Sequence, residues 1–139
     1  MVRSAGTILI TAVVASLTAT VTDARSLPGS PLEGRWAFTW TPSEVRSSRA
    51  DPVLAGRYVV EFRGGTFIRL LPLPVARKAR VAIRGDLATF VFTAGTTGLV
   101  AGRPYTMRWS IYRDRLTWAP APGRDRLDLF VKVPWTRVR

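Results

Sequence analysis

The chain has 139 residues, with 21 Lys and Arg against 9 Asp and Glu, for a formal net charge of +12. Histidine and cysteine are absent, and so are asparagine and glutamine. Those absences remove the usual nucleophile–base pairs, transition-metal ligand sets and disulfide staples, so the folded part must hold together through its core alone.

Met1-Val2-Arg3 is a short basic start, and Ile8 to Val21 is an apolar run closed by Thr22-Asp23-Ala24. This layout predicts a secretory signal over 1–24 and an extracellular mature protein, the run being too short for a comfortable membrane span. A flexible Pro/Gly/Ser-rich lead-in over 25–32 and one domain over 33–139 follow.

From residue 33 the chain reads EGRWAFTW, with Trp36, Phe38 and Trp40 on alternate positions. Short alternating runs divided by Gly, Pro and Asp continue to the end, which is the strand signature. Eight are expected, over 34–41, 57–63, 66–72, 79–84, 87–94, 104–113, 115–119 and 126–136. Gly64-Gly65 and Gly85-Asp86 supply the positive backbone angles of two-residue hairpin loops, and Arg113-Asp114 is a weaker version. The other connections, Pro42–Gly56, Pro72–Lys78, Gly95–Arg103 and Ala119–Asp125, are longer. Long and short connections therefore alternate, as in an up-and-down meander whose tight turns lie at one end and whose loops ring the other. The expected fold is all-β, an eight-stranded antiparallel up-and-down β-barrel, whose closure removes exposed sheet edges.

The turns also set which residues share a face. Phe62 falls opposite Phe67, Val60 opposite Arg69 and Tyr58 opposite Leu71. Ile83 faces Ala88 and Val81 faces Phe90, while Ile111 faces Leu116 and Trp109 faces Trp118. Trp36, Phe62, Phe67, Ile83, Ala88, Ile111, Leu116 and Val133 should gather at the hairpin end as packed core. Trp40, Tyr58, Arg69, Leu71, Phe92, Tyr105, Met107, Trp118 and Leu127 should gather at the looped end. Apolar walls with a few polar groups have the texture of a small-molecule site.

Gly34-Arg35-Trp36 matches the Gly-x-Trp that begins the first lipocalin strand, and the final strand ends Pro134-Trp135-Thr136-Arg137. With the alternation of loop lengths, residues 33–138 resemble the lipocalins and the wider calycin-type barrels. The combination with "TMRWSIYRDRLTW" is similar to small lipocalin-like domains of high-GC Gram-positive bacteria. The Thr-Asp-Tyr signature, a C-terminal helix and a disulfide are missing from the pattern. The resemblance implies structural roles for Trp36 and Arg137, the guanidinium closing the barrel base over the indole.

Three readings of function remain open. The first is a carrier or sensor taking a small hydrophobic or amphipathic ligand, anionic in one variant of the reading, on Trp40, Tyr58, Arg69, Leu71, Phe92, Tyr105, Met107 and Trp118. In it Arg69, the one charged residue expected to point inward, holds a carboxylate or phosphate. The second is a filled barrel whose arginines, among them Arg57, Arg63, Arg80, Arg84, Arg108 and Arg115, hold an anionic surface, an acidic polymer or a protein partner. The third is a cyclase or isomerase acting by positioning alone. No catalytic residue, metal ligand or cofactor is assigned, because no two carboxylates converge and no phosphate loop is present; scattered basic residues give no sign of specific nucleic-acid recognition.

Overall fold

The three tight turns form as their sequences dictate. Gly64 and Gly65 both take positive φ, 55° and 79°, which matches the right-handed twist of the flanking strands. Gly85 supplies the same freedom at φ 58°. Arg113 and Asp114 adopt φ 47° and 59° without the help of a glycine.

A computed structural model describes residues 29–73, 76–93 and 99–139. The proposed leader, the first half of the lead-in and the Gly95–Gly98 stretch lie outside the described residues. The strands are β1 (Gly34–Trp40), β2 (Gly56–Arg63), β3 (Thr66–Leu71), β4 (Ala76–Arg84), β5 (Leu87–Phe92), β6 (Pro104–Tyr112), β7 (Arg115–Pro120) and β8 (Trp135–Val138). They pair in sequence order, all antiparallel, and β8 returns to β1, so the sheet closes into a barrel. The fold is the eight-stranded up-and-down barrel that the alternation of the sequence predicts.

Four features depart from expectation. The first concerns the last strand, expected over 126–136, which begins only at Trp135. Pro134 has no N–H for a ladder and is out of place in a strand paired on both sides. The preceding residues turn instead, with the Phe130 N–H donating to the Leu127 carbonyl at 3.0 Å and the Lys132 N–H to the Leu129 carbonyl at 3.2 Å. Leu127 and Phe130, three residues apart, are thereby buried together, while Val133 stays half-buried outside any strand.

The second departure is Leu71. The β2–β3 register shifts between Val59 and Val60, so Leu71 lies opposite Val59 and not Tyr58. Leu71 is 39% exposed and belongs to the outer surface. A bulge places two residues against one and reverses the facing of everything beyond it.

Third, β4 begins at Ala76, which shortens the connection that was expected to run to Lys78. Fourth, the β1–β2 connection is a folded cap rather than an open loop. Its helix α1 (Pro42–Ser47) starts with a capping box in which Thr41 and Glu44 satisfy each other's backbone N–H groups. A short 3-10 turn, Pro52–Leu54, follows, and Val45 and Leu54 are buried beneath the cap.

The core is aromatic through its whole depth. Trp36, Phe90 and Trp135 have no exposed surface. Phe38 stacks on Trp135 at 4.2 Å between ring centroids and on Tyr58 at 5.3 Å. Trp118 meets Trp135 at 5.3 Å with the rings steeply inclined, a favourable edge-on geometry.

Candidate functional site: the looped end of the barrel

At the hairpin end the Arg137 guanidinium lies 4.3 Å from the centre of the Trp36 ring. It donates to the Glu33 carbonyl at 2.9 Å and the Pro31 carbonyl at 2.8 Å, and its Nε to Asp114 at 3.2 Å. The Trp36 indole N–H donates to the Leu32 carbonyl at 2.9 Å. The segment before β1, the first strand, the last strand and the β6–β7 turn are thus tied at one point.

The looped end is different. A cleft of about 230 Å³ opens between the cap after β1 and the segment before β8. Trp40, Leu54, Leu99, Leu127 and Phe130 give it apolar walls, and Ser48, Arg49, Arg126 and Asp128 a polar rim. Arg126 is held by Asp128 at 2.7 Å. Arg49 has no carboxylate partner among the described residues and is exposed. Below the cleft lies a void of about 40 Å³, and Trp40, Leu99 and Phe130 line both spaces. Tyr58, Arg69 and Phe92 also line the void.

Phe130 is what keeps the void small. Its ring touches Trp135 at 4.8 Å, Phe90 at 5.5 Å, Trp118 at 5.6 Å, Phe67 at 6.1 Å and Trp40 at 6.4 Å. A side chain from a non-strand segment therefore occupies the centre of the barrel. Trp40, Trp118 and Trp135 each carry a buried indole N–H without a hydrogen-bond partner among the described residues.

The segment bearing Phe130 is anchored to β6. The Thr106 N–H donates to the Asp125 carbonyl at 2.9 Å, and the Leu127 N–H to Met107 Sδ at 3.3 Å. Arg103 meets the Asp125 carboxylate at 2.7 Å. That hydrogen bond, and then the charge of Asp125, raises the Arg103 guanidinium above its ordinary value.

The eight residues assigned to a ligand from sequence are therefore not one set. Trp40, Tyr58, Arg69 and Phe92 surround the void. Met107 lies opposite Ala88, well below the mouth, and supports the Phe130 segment. The Tyr105 hydroxyl accepts the Val100 N–H at 3.0 Å and so fastens the loop before β6. Trp118 packs against Phe130 and Trp135, and Leu71 faces outward. Among the cleft residues not foreseen are Ser48, Arg49, Leu54, Leu99, Arg126, Asp128 and Phe130. The spacing of Leu127 and Phe130 was the available signal for the last of these.

No protein-family model matches the chain, and neither the curated proteins nor the solved structures contain a match.

Proposed function

We propose that the protein is an exported binding protein that takes a small, mainly apolar, anionic molecule at the looped end of its barrel. The observation that carries this reading is the cleft of about 230 Å³ with apolar walls and, on its rim, Arg49, a cation with no carboxylate partner among the described residues. Small-molecule sites are apolar hollows with a few orienting polar groups, mostly about 300–1,000 Å³ in volume. The cleft suits a compact ligand or one end of a longer one. The interior void, at about 40 Å³, holds little more than one water. The ligand body accordingly rests on Trp40 and Phe130, and goes deeper only by displacing the Phe130 ring. Export rests on the apolar run and its flanks within 1–24, and kinship with lipocalin-like domains on Gly34-x-Trp36, Arg137 and the barrel itself.

Titration with 1-anilinonaphthalene-8-sulfonate, an amphipathic anion, tests the reading. Saturable binding at one site is expected. Ala50 also lines the cleft; Ala50→Trp, which fills it, should abolish binding, and Arg49→Glu should weaken it about tenfold. Phe130→Leu should tighten binding by joining cleft and void. The reading is lost if binding does not saturate, or if Ala50→Trp and Arg49→Glu both leave it unchanged.

A further inference from the structure

The outer face of the barrel carries a charge pattern that the ligand cleft does not use. Arg63 ends β2, and Lys78, Arg80 and Arg84 alternate along β4. All four are exposed. Pairing of Arg63 with Thr66 and of Thr66 with Arg80 sets these two arginines in one row, two strands apart. Two strand spacings are about 10 Å, and Lys78 and Arg80, two residues apart on one face, are about 7 Å apart. None of the four pairs with a carboxylate among the described residues. The nearby acids are engaged elsewhere: Glu61 with Arg35 at 3.5 Å, Asp86 with Arg108 at 3.1 Å, and Glu33 with the Gly64 N–H at 3.0 Å. Arg108 is thereby partly neutralised and stands apart from the four.

We propose that Arg63, Lys78, Arg80 and Arg84 form a docking surface for a flexible linear polyanion of the phosphodiester or polyphosphate type. Four cations within two strands of each other, none paired with a carboxylate among the described residues, are a local concentration of charge beyond the general field of a +12 protein. Thr66, Ile68 and Ala82 lie between them on the same face, and Thr89 and Val91 flank them on β5. None of these residues carries a ring to stack a base, so this surface reads the charged backbone and not nucleobases. Its convex outline also offers nothing to enter a duplex groove, whereas a flexible chain can bend to meet all four cations.

Long-chain inorganic polyphosphate is the probe, with the full mature chain and binding followed across a salt series. Replacing the four residues together by glutamine is expected to weaken binding at least thirtyfold and to lower the log–log salt slope by about 3–4, close to one unit per cation. A matched variant with Arg46, Arg57, Arg113 and Arg124 changed to glutamine loses the same charge elsewhere, and should weaken binding less than threefold. Equal losses in the two variants would overturn the proposal in favour of attraction by net charge alone. Arg63→Lys/Arg80→Lys/Arg84→Lys should keep binding, and its loss would count equally against the surface. Should the fourfold variant not fold, the pairs Arg63→Gln/Arg80→Gln and Lys78→Gln/Arg84→Gln carry the same comparison. Two further arms separate the sources of the anion. Oligo-deoxythymidylate should bind no more tightly per charge than polyphosphate, and tighter binding would contradict backbone-only reading. Vesicles containing phosphatidylglycerol should bind more weakly and respond equally to both variants; preferential loss with the fourfold variant would make the partner a membrane and overturn the proposal.

Discussion

Gly34 takes φ +114°, and a Cβ added there would lie 3.2 Å from Arg137 Nη1. The glycine of Gly-x-Trp thus has two jobs: it turns the chain into β1, and it leaves room for the guanidinium that covers Trp36. Arg137 in turn completes a set of acceptors, the carbonyls of Pro31 and Glu33 and the carboxylate of Asp114. Asp114 lies in a turn where both central residues have positive φ without being glycine, a conformation disfavoured for side-chain-bearing residues. Its two arginine contacts, Arg137 and Arg139, help hold it there. Arg137→Ala should cost about 2–4 kcal/mol, from the lost charged hydrogen bonds and the stacking on Trp36. Arg137→Lys should recover less than half of that, because an ammonium cannot stack flat and reach two carbonyls together. Gly34→Ala should cost about 1–3 kcal/mol through strain and the close approach to Arg137. Chemical denaturation of the three variants checks all of these, and a neutral Gly34→Ala would show that the start of β1 relaxes freely.

At the scale of elements, turn chemistry explains what could be read from the sequence. Gly64-Gly65 and Gly85-Asp86 sit where only a two-residue hairpin fits, and so they fix the register of β2–β3 up to the bulge at Val59 and that of β4–β5. The same reasoning placed Phe62 against Phe67 and Val60 against Arg69. It failed at Leu71 because a bulge leaves no mark in the pattern of apolar residues. The segment before β8 misled for a different reason. Leu127, Leu129, Val131 and Val133 alternate as a strand would, yet within 126–134 Leu127 and Phe130 are the two residues that are buried. Pro134 was the stop signal, outweighed in that reading by the alternation. The cap was also legible in part, since Thr41-x-x-Glu44 with Pro42 between them is a helix-start signature. Thr41→Ala removes the acceptor for the Glu44 N–H and should cost about 1 kcal/mol. The loss should be local, with hydrogen exchange rising at Val45 and Ser48 while β2–β5 amides remain protected. Uniform acceleration across the sheet would instead mean that the cap and barrel unfold as one unit.

The whole molecule depends on a short seam. β8 has four residues, and they join β1 through Ala37–Thr136, Trp36–Arg137 and Arg35–Val138, and β7 through Leu116–Trp135 and Arg115–Thr136. Above that seam β1 and β7 are not bridged by a strand, and the buried side chains of Leu127 and Phe130 fill the interior there instead. Closure and core filling are therefore coupled, because Trp135 is both a seam residue and the ring on which Phe38, Trp118 and Phe130 converge. A chain ending at Pro134 loses the ladder, the Trp135 ring and the Arg137 clamp together. Removing a fully buried large aromatic alone costs about 3–5 kcal/mol, a large share of the about 5–15 kcal/mol by which a domain is stable. With both flanking strands left as open edges, the truncated protein should show no cooperative thermal transition, lose its near-ultraviolet dichroism and associate. Supplying the missing strand in trans, as a peptide covering 134–139, should restore part of the dichroism. A truncated chain that melts cooperatively within a few degrees of the full one would show that the seven-stranded sheet is stable without its seam.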